Sequence, residues 1–395
     1  MKYVIVIGDG MADYPLEELG GRTPLEAARK PAIDALSREG MLGLAWNVPQ
    51  EMAPGSDVAI MSIMGYDPVK KFTGRGPLEA ASMGVEAGED ETVFRCNLVS
   101  VAGGVLRDYS SGHITTEEAR ALIAALDAEL GSDEARFYPG ISYRHILVAK
   151  GRFDGVRCFP PHDHVGEPWE EYLPRGAGAE FLVRLMNSSR TVLESHPVNA
   201  ARAGAGMPPA NMVWFWGGGT APALEGYGER FGVRGSVVSA VDLVRGIGVL
   251  VGLDPVAVEG ATGLVETNYE GKVGAALAAL ETGDLAVVHL EGCDEASHMG
   301  DAGLKVRGIE ELDRRVVRPL LDAAGRFGDY KILLTPDHAT PIPVRTHTRD
   351  PVPFAIYGSG VAGRPSGLSF TERNASATGV EFREGHRLAD FFFGR

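Results

Sequence analysis

The chain has 395 residues, of which 44% are hydrophobic and 23% are charged, a composition typical of a folded globular protein. Its net charge of -15 argues against nonspecific nucleic-acid binding, which depends on clustered lysines and arginines. The apolar segments are too short for a membrane span or a signal peptide. Because the three cysteines form no CxxC pair, we expect a cytoplasmic protein; the sequence does not indicate its oligomeric state.

Short runs rich in Val, Ile and Leu alternate with amphipathic stretches, which predicts an α/β fold with a mostly parallel sheet sandwiched by helices. In chain order, the predicted strands are residues 3–7, 94–101, 212–216, 285–290 and 331–335. Thr115 and Glu118 form a capping box at one predicted helix, and residues 304–324 carry apolar side chains at helical spacing. Residues 84–92 and 260–271 lack strong periodicity and are the candidate domain boundaries.

Three predicted strands end in acids or imidazoles. The candidate ligands at or shortly after these ends are Asp9, Asp294, His298, Asp337, His338 and His347. Because ligands of open α/β sheets bind at the carboxyl ends of strands, these side chains can meet in one crevice. A single Asp at a strand end is more often a helix cap. Asp and His together suit manganese or zinc, and six such ligands exceed what one ion needs, which favours two metals.

Ser56 follows Pro54 and Gly55 at the predicted start of a helix. Serine is a preferred N-cap, and this is one interpretation of the residue. A hydroxyl in this place also faces free backbone N–H groups and the positive end of the helix dipole, where phosphate is stabilised. With a metal beside it, the same hydroxyl can act as a nucleophile.

Two other site types match poorly. The GDGMAD segment resembles the start of a dinucleotide fingerprint, but Asp13 occupies the position of the third glycine. A Ser-His-Asp hydrolase could use Ser56, but the GxSxG motif is absent. Metal chemistry accounts for more of these residues than either alternative.

Eight motifs in order resemble those of the archaeal-type cofactor-independent (2,3-bisphosphoglycerate-independent) phosphoglycerate mutases, of the alkaline phosphatase superfamily. They are GDGMAD, PGSDVAIMSIMGYDP, TGRGPLEAAS, PHDHVG, ATGLVETNYEGK, CDEASHMGD, TPDHATP and THTRDPVPF. The resemblance covers nearly the whole chain. It implies an alkaline-phosphatase-like, metal-binding α/β domain formed by residues 1–85 and 265–395, with a second α/β domain, residues 86–264, inserted as the transferase domain.

The resemblance also implies roles for individual residues. Ser56 matches the serine that becomes phosphorylated, and Lys272 matches a lysine that touches the transferred phosphoryl group. Arg75 and His162 match substrate contacts. Two divalent metal ions are implied, manganese first, with zinc, cobalt or magnesium as alternatives. One ion would be bound by Asp9, Ser56, Asp337 and His338, and the other by Asp294, His298 and His347.

The activity implied is the interconversion of 3-phosphoglycerate and 2-phosphoglycerate through a phosphoserine, in glycolysis and gluconeogenesis. The partner is a small phosphorylated substrate, with no nucleic acid and no membrane. Candidate arginines for the substrate carboxylate are Arg107, Arg144 and Arg202. Thr220 departs from the family pattern, because many relatives carry a basic residue there. Domain closure about hinges at residues 84–92 and 260–271 is expected to keep water from the phosphoserine.

Two alternative functions remain open at this level. The first is a metal-dependent phosphatase or phosphotransferase that acts on another small metabolite such as homoserine, because bacterial relatives are often labelled homoserine kinases. The second is a noncatalytic scaffold, which is disfavoured because all seven metal-site residues are present.

Overall fold

In the computed structural model, which describes residues 1–361 and 365–395, the strands form two separate sheets. The strands are β1 (Lys2–Gly8), β2 (Met41–Ala45), β3 (Glu91–Ala102), β4 (Val105–Asp108), β5 (Ala135–Ile141), β6 (Arg144–Lys150), β7 (Met212–Gly219), β8 (Gly235–Val238), β9 (Asp254–Val256), β10 (Leu285–Leu290), β11 (Tyr330–Thr335), β12 (Val352–Gly358) and β13 (Glu381–Phe382). Each sheet belongs to one of two units, Met1–Phe72 with Leu224–Arg395 and Thr73–Ala223.

Helices lie between the strands through most of the chain. They are α1 (Pro24–Ala27), α2 (Pro31–Glu39), α3 (Ser56–Ile63), α4 (Pro68–Lys71), α5 (Arg75–Ser82), α6 (Thr116–Leu130), α7 (Ala179–Glu194), α8 (Pro197–Gly204), α9 (Tyr227–Arg230), α10 (Asp242–Leu250), α11 (Tyr269–Thr282), α12 (Gly292–Met299), α13 (Ala302–Leu312), α14 (Arg318–Ala324), α15 (Glu372–Ala377) and α16 (Arg387–Phe393). Within the described residues, no helix is both long and apolar enough to cross a bilayer.

The sheet of the first unit has the order β13-β2-β12-β11-β1-β10-β8-β9 among the described residues. β1 pairs in parallel with β10 and β11, and β8 pairs in parallel with β10, whereas β12 runs antiparallel to both of its neighbours. Val4 and Val6 of β1 are buried in one core with Ile33 of α2, Val273 of α11 and Ile309 of α13. Burial of this apolar surface holds the central strands in place beneath the loops that follow them.

The sheet of the second unit is antiparallel. β3 pairs with β6, β7 and β4, and β5 pairs with β6. Helices α6 and α7 cover it, with Leu122 and Leu182 packed in the same core as Cys96 and Phe215. α6 begins at the predicted capping box, because Thr115 accepts from the backbone of Glu118, whose side chain in turn accepts from Thr115.

The predicted fold class, an α/β sheet between helices with a second α/β region, is confirmed. The unit boundaries differ from those predicted at residues 85/86 and 264/265. β8 and β9 fall in the predicted insert, but they extend the first sheet because β8 pairs with β10. Conversely, α5 packs against β3 and β7 of the second unit. The proposed hinges, residues 84–92 and 260–271, consequently each lie inside one unit.

Candidate metal centre and active site

The loops after three parallel strands carry the predicted metal ligands. β1 lies between β10 and β11, with Gly8 aligned to Leu290 and Ile7 aligned to Thr335. Since the three strands run in the same direction, the loops leave the sheet at one edge. The six Asp and His side chains form two groups, and within each group the ligand atoms lie within 4.8 Å of one another. The groups are Asp9, Asp337 and His338, and Asp294, His298 and His347.

The first group, Asp9, Asp337 and His338, is almost completely buried. Asp9 Oδ1 and Asp337 Oδ2 have no hydrogen-bond partner in the described part of the chain, although His338 Nε2 lies 3.1 Å from Asp337 Oδ2. Burial, and then the negative charge of Asp337, raises the pKa of Asp9 well above its usual range. Buried carboxylate oxygens without partners are unfavourable unless a cation compensates them. This set of donors therefore fits a divalent cation.

The second group joins α12, with Asp294 in its first turn and His298 in its last turn, to the loop that carries His347. Asp294 and His298 lie one helical turn apart, and His298 Nε2 is 3.1 Å from Asp294 Oδ2. The Nε2 atoms of His298 and His347 are 3.2 Å apart, while His298 Nδ1 lies 2.9 Å from the carbonyl oxygen of Arg345. Hydrogen bonding to Asp294 raises the pKa of His298 to about 9. With Nδ1 bonded to a carbonyl, Nε2 is the nitrogen available to a cation.

Ser56 is the first residue of α3, and Gly55 is the N-cap. The interpretation of Ser56 as an N-cap is therefore wrong. An N-cap at Ser56 would require the helix to begin at the next residue, and no hydrogen bond from a capping side chain forms. Instead, Ser56 Oγ lies 3.2 Å from His338 Nε2. The hydroxyl thus adjoins the first ligand group at a helix N-terminus, an environment that activates a nucleophile.

Comparison with known proteins shows the family of this chain. Residues 37–199 match the family model described as 2,3-bisphosphoglycerate-independent phosphoglycerate mutase. A protein of that name from Methanosarcina acetivorans is 51% identical over 381 residues, which is 96% of each chain. Another, from Methanothrix thermoacetophila, is 51% identical over 389 residues, which is 98% of each chain. The chain belongs to this family.

Two solved structures share the fold. The PH0037 protein from Pyrococcus horikoshii has a TM-score of 0.83 and 31% identity, with 100% of this chain and 96% of the other covered. A cofactor-independent phosphoglycerate mutase from Thermoplasma acidophilum has a TM-score of 0.68 and 26% identity, with 100% and 99% covered. The family resemblance inferred from the eight motifs is confirmed.

Lys272, the predicted contact of the transferred phosphoryl group, lies in α11 with only 1% of its surface exposed. Its Nζ donates to the carbonyl oxygen of His289, 3.1 Å away, near the end of β10. Burial lowers the pKa of Lys272 to about 8. The side chain is therefore positioned by the same strand that precedes Asp294.

Arg75 and His162, the predicted substrate contacts, lie in the second unit around Trp216 and Arg95. The guanidinium of Arg95 stacks 4.0 Å from the centre of the Trp216 ring, and the His162 ring is 5.3 Å from it. Arg75 and Arg95 both pair with the buried carboxylate of Glu79, at 2.9 and 2.8 Å. We call Arg75, Arg95 and His162 the arginine cluster. Its two guanidinium groups carry more positive charge than the single carboxylate of Glu79 neutralises, as an anion site requires.

The other arginines proposed for the substrate differ in their environments. Arg202 is 1% exposed and donates to Pro208, Glu118 and Ser111, so it ties elements of the second unit together and does not present a free face to a substrate. Arg107 and Arg144 are exposed. Burial raises the pKa of Glu79, but Arg95 and Arg75 lower it by more. Arg144 lies close enough to the cluster to lower this pKa further.

Thr220, the position that departs from the mutase pattern, accepts a hydrogen bond from Thr73 Oγ1 through its backbone oxygen. Its backbone thus has a structural partner whatever the side chain is, which allows the residue type to vary at this position.

Two polar residues of these sites escaped the sequence analysis. His289 is fully buried in β10, with Nε2 2.9 Å from Asp9 Oδ2 and Nδ1 3.1 Å from Ser239 Oγ, so it orients a predicted metal ligand. Arg95 is buried in β3. In both cases the available signal was a basic side chain within a largely apolar strand, in LAVVHL and in ETVFRCNLVSVA.

Proposed function

We propose that the protein interconverts 3-phosphoglycerate and 2-phosphoglycerate without 2,3-bisphosphoglycerate, and so serves glycolysis and gluconeogenesis in the cytoplasm. The observation that carries the proposal is the position of Ser56 Oγ, 3.2 Å from His338 Nε2 and beside buried carboxylates that need a cation. Relatives of this name with 51% identity over almost the whole chain support it.

Two divalent ions, manganese first, fit the two ligand groups. Ser56, Asp9, Asp337 and His338 would hold one, and Asp294, His298 and His347 the other. Mixed carboxylate and imidazole donors favour manganese, zinc or cobalt over the harder magnesium ion. When bound, such ions neutralise phosphoryl charge and favour the deprotonated form of a nearby hydroxyl.

Ser56 is the residue that forms the covalent bond in this proposal. Its Oγ attacks the phosphorus of 3-phosphoglycerate, the bond from phosphorus to the C3 oxygen breaks, and that oxygen takes up a proton while the glycerate stays in the site and reorients. The C2 hydroxyl of the same glycerate then attacks phosphoserine, and the bond from phosphorus to Ser56 Oγ breaks. The proton lost by Ser56 in the first half is restored in the second, so the cycle is balanced.

Lys272 and the arginine cluster complete the proposal. A buried ammonium such as that of Lys272 offers three N–H donors to the transferred phosphoryl group. We assign Arg75, Arg95 and His162 to an anionic group of the substrate, because guanidinium groups bind carboxylate or phosphate oxygens in pairs. Exposed Arg144, at the edge of this cluster, is a further candidate contact.

An enolase-coupled assay tests the activity directly. Purified protein with manganese and 3-phosphoglycerate, but without bisphosphoglycerate, should generate 2-phosphoglycerate at the same rate whether or not bisphosphoglycerate is later added. A protein that only releases inorganic phosphate is a phosphatase, and one that phosphorylates homoserine from a nucleotide is a kinase. Either result without mutase turnover overturns the proposal.

A further inference from the structure

Thr340, in the loop after β11, touches both ligand groups. Its side chain is fully buried, and its Oγ1 lies 2.6 Å from Asp294 Oδ1 and 3.1 Å from His338 Nδ1. Asp294 belongs to the second group and His338 to the first. We propose that Thr340 is a positioning residue whose hydroxyl couples the two metal sites. This inference rests on the two-metal function proposed above.

The direction of the two hydrogen bonds follows from the number of protons available. A carboxylate only accepts, so the single hydroxyl proton of Thr340 is donated to Asp294 Oδ1. The hydroxyl oxygen must then accept from His338, which places the imidazole proton on Nδ1. His338 Nε2, the atom 3.2 Å from Ser56 Oγ, is left with a lone pair for a cation.

Thr340 acts on the two groups in different ways. In the first group it fixes the tautomer and the ring orientation of His338, and in the second it holds one oxygen of Asp294. The other oxygen, Oδ2, then lies 3.1 Å from His298 Nε2. If His338 or Asp294 rotates, its hydrogen bond to the Thr340 hydroxyl breaks. Because the same hydroxyl positions both side chains, the movement of one affects the other.

The backbone of Thr340 is held independently of both ligand groups. Its N–H donates to the carbonyl oxygen of Ala12, 3.3 Å away, and its own carbonyl oxygen accepts from Lys305 Nζ at 3.0 Å. Lys305 Nζ also donates to Asp13 Oδ2 at 2.7 Å, and both side chains are fully buried. Lys305, which lies in α13, thus links the loop after β1 to the loop after β11 and gives the hydroxyl a rigid frame.

Coupling through one hydroxyl has a measurable consequence. When an ion binds one group and fixes its ligand, the hydroxyl holds the partner ligand in place before the second ion arrives. We therefore infer that the two ions bind with positive cooperativity, and that this cooperativity depends on the Thr340 hydroxyl.

The test compares Thr340→Val, which keeps the shape of the side chain and removes the hydroxyl, with Thr340→Ser, which keeps the hydroxyl. Thr335→Val is the matched control, because Thr335 is equally buried but donates to the backbone oxygen of Pro336. Full-length protein is stripped of metal and titrated with manganese in a calorimeter, and melting temperature reports the stability of each variant. Thr340→Ala carries the same expectation as Thr340→Val if the valine variant does not fold.

In Thr340→Val, affinity for both ions should fall about 10- to 100-fold, as for loss of other groups that orient metal ligands, and the cooperativity should disappear. Thr340→Ser should stay near the wild type. Equal affinities in Thr340→Val and Thr335→Val, or a loss confined to one ion, overturn the coupling. Because binding is measured without substrate, failure of the coupling is distinguishable from failure of the mutase proposal, in which wild-type protein binds manganese but does not convert 3-phosphoglycerate.

Discussion

Asp9 in the first unit and Glu79 in the second are both buried carboxylates, but their neighbours have opposite charges. Burial and nearby Asp337 raise the pKa of Asp9 well above its usual range. Burial would also raise the pKa of Glu79, but Arg95 and Arg75 outweigh it and lower the value. The first site therefore favours binding of a cation, whereas the second contains its own cationic side chains beside its carboxylate.

The two regions also present their charged groups on different kinds of scaffold. The ligands of the first unit follow the carboxyl ends of parallel strands, where several segments meet; Asp294 and His298 lie in α12 and the others in loops. Arg95 of the second unit extends from the middle of antiparallel β3, and Arg75 starts α5. These differences support our proposal that phosphoryl chemistry takes place in the first region and that the second region recognises the charge of the substrate.

The largest effect is expected for Ser56→Ala. Loss of the nucleophile should lower mutase turnover by several orders of magnitude and eliminate the phosphoenzyme detected by mass spectrometry. Because Gly55 is the N-cap, the free energy of unfolding should change by less than about 1 kcal/mol. Phosphate found on another residue, or normal turnover in this variant, would remove Ser56 from the mechanism.

Removal of the metal tests the cation requirement of the first region. Dialysis against a chelator should lower activity at least about a hundredfold, since bound ions contribute several kcal/mol to phosphoryl transfer. Manganese should restore activity better than magnesium because three of the proposed ligand side chains are imidazoles, which magnesium binds poorly. Full activity in protein shown to be metal-free by elemental analysis contradicts the assignment.

Much of the first region could be predicted from the sequence, because strands of nearly continuous Val, Ile and Leu are followed at once by Asp or His. The residues that hold these ligands in position could not be predicted from the sequence. His289 and Thr340 act through contacts with residues distant in the sequence, Asp9 and Asp294, which only the fold brings near. The two units differ in their limits from the predicted domains for a similar reason, because the pairing of β8 with β10 has no local sequence signal.

The anion-binding role of the second region is tested by Arg144→Gln, with Arg107→Gln as the control. Both arginines are exposed, but Arg144 contributes to the lowered pKa of Glu79 in the cluster, whereas Arg107 Nε donates to the backbone oxygen of Ala102. Loss of one charged contact should raise KM for 3-phosphoglycerate about tenfold, equivalent to about 1.4 kcal/mol, with a smaller change in kcat. The control should change KM less than twofold. Equal effects of the two substitutions would show that only net surface charge matters.

The smallest effect concerns Lys272, whose pKa burial lowers to about 8. A lysine loses its positive charge as pH rises through its pKa, so the charged fraction falls about fourfold between pH 7 and 8.5. If the ammonium contacts the phosphoryl group, the mutase rate should fall with it, and Lys272→Arg should keep its charge and flatten this alkaline decline. Lys2→Arg is the control, because Lys2 Nζ also donates to a backbone oxygen, that of Gly283, but lies at the start of β1. An alkaline decline that is identical in wild type and Lys272→Arg would assign the titration to another group and leave Lys272 a structural role against His289.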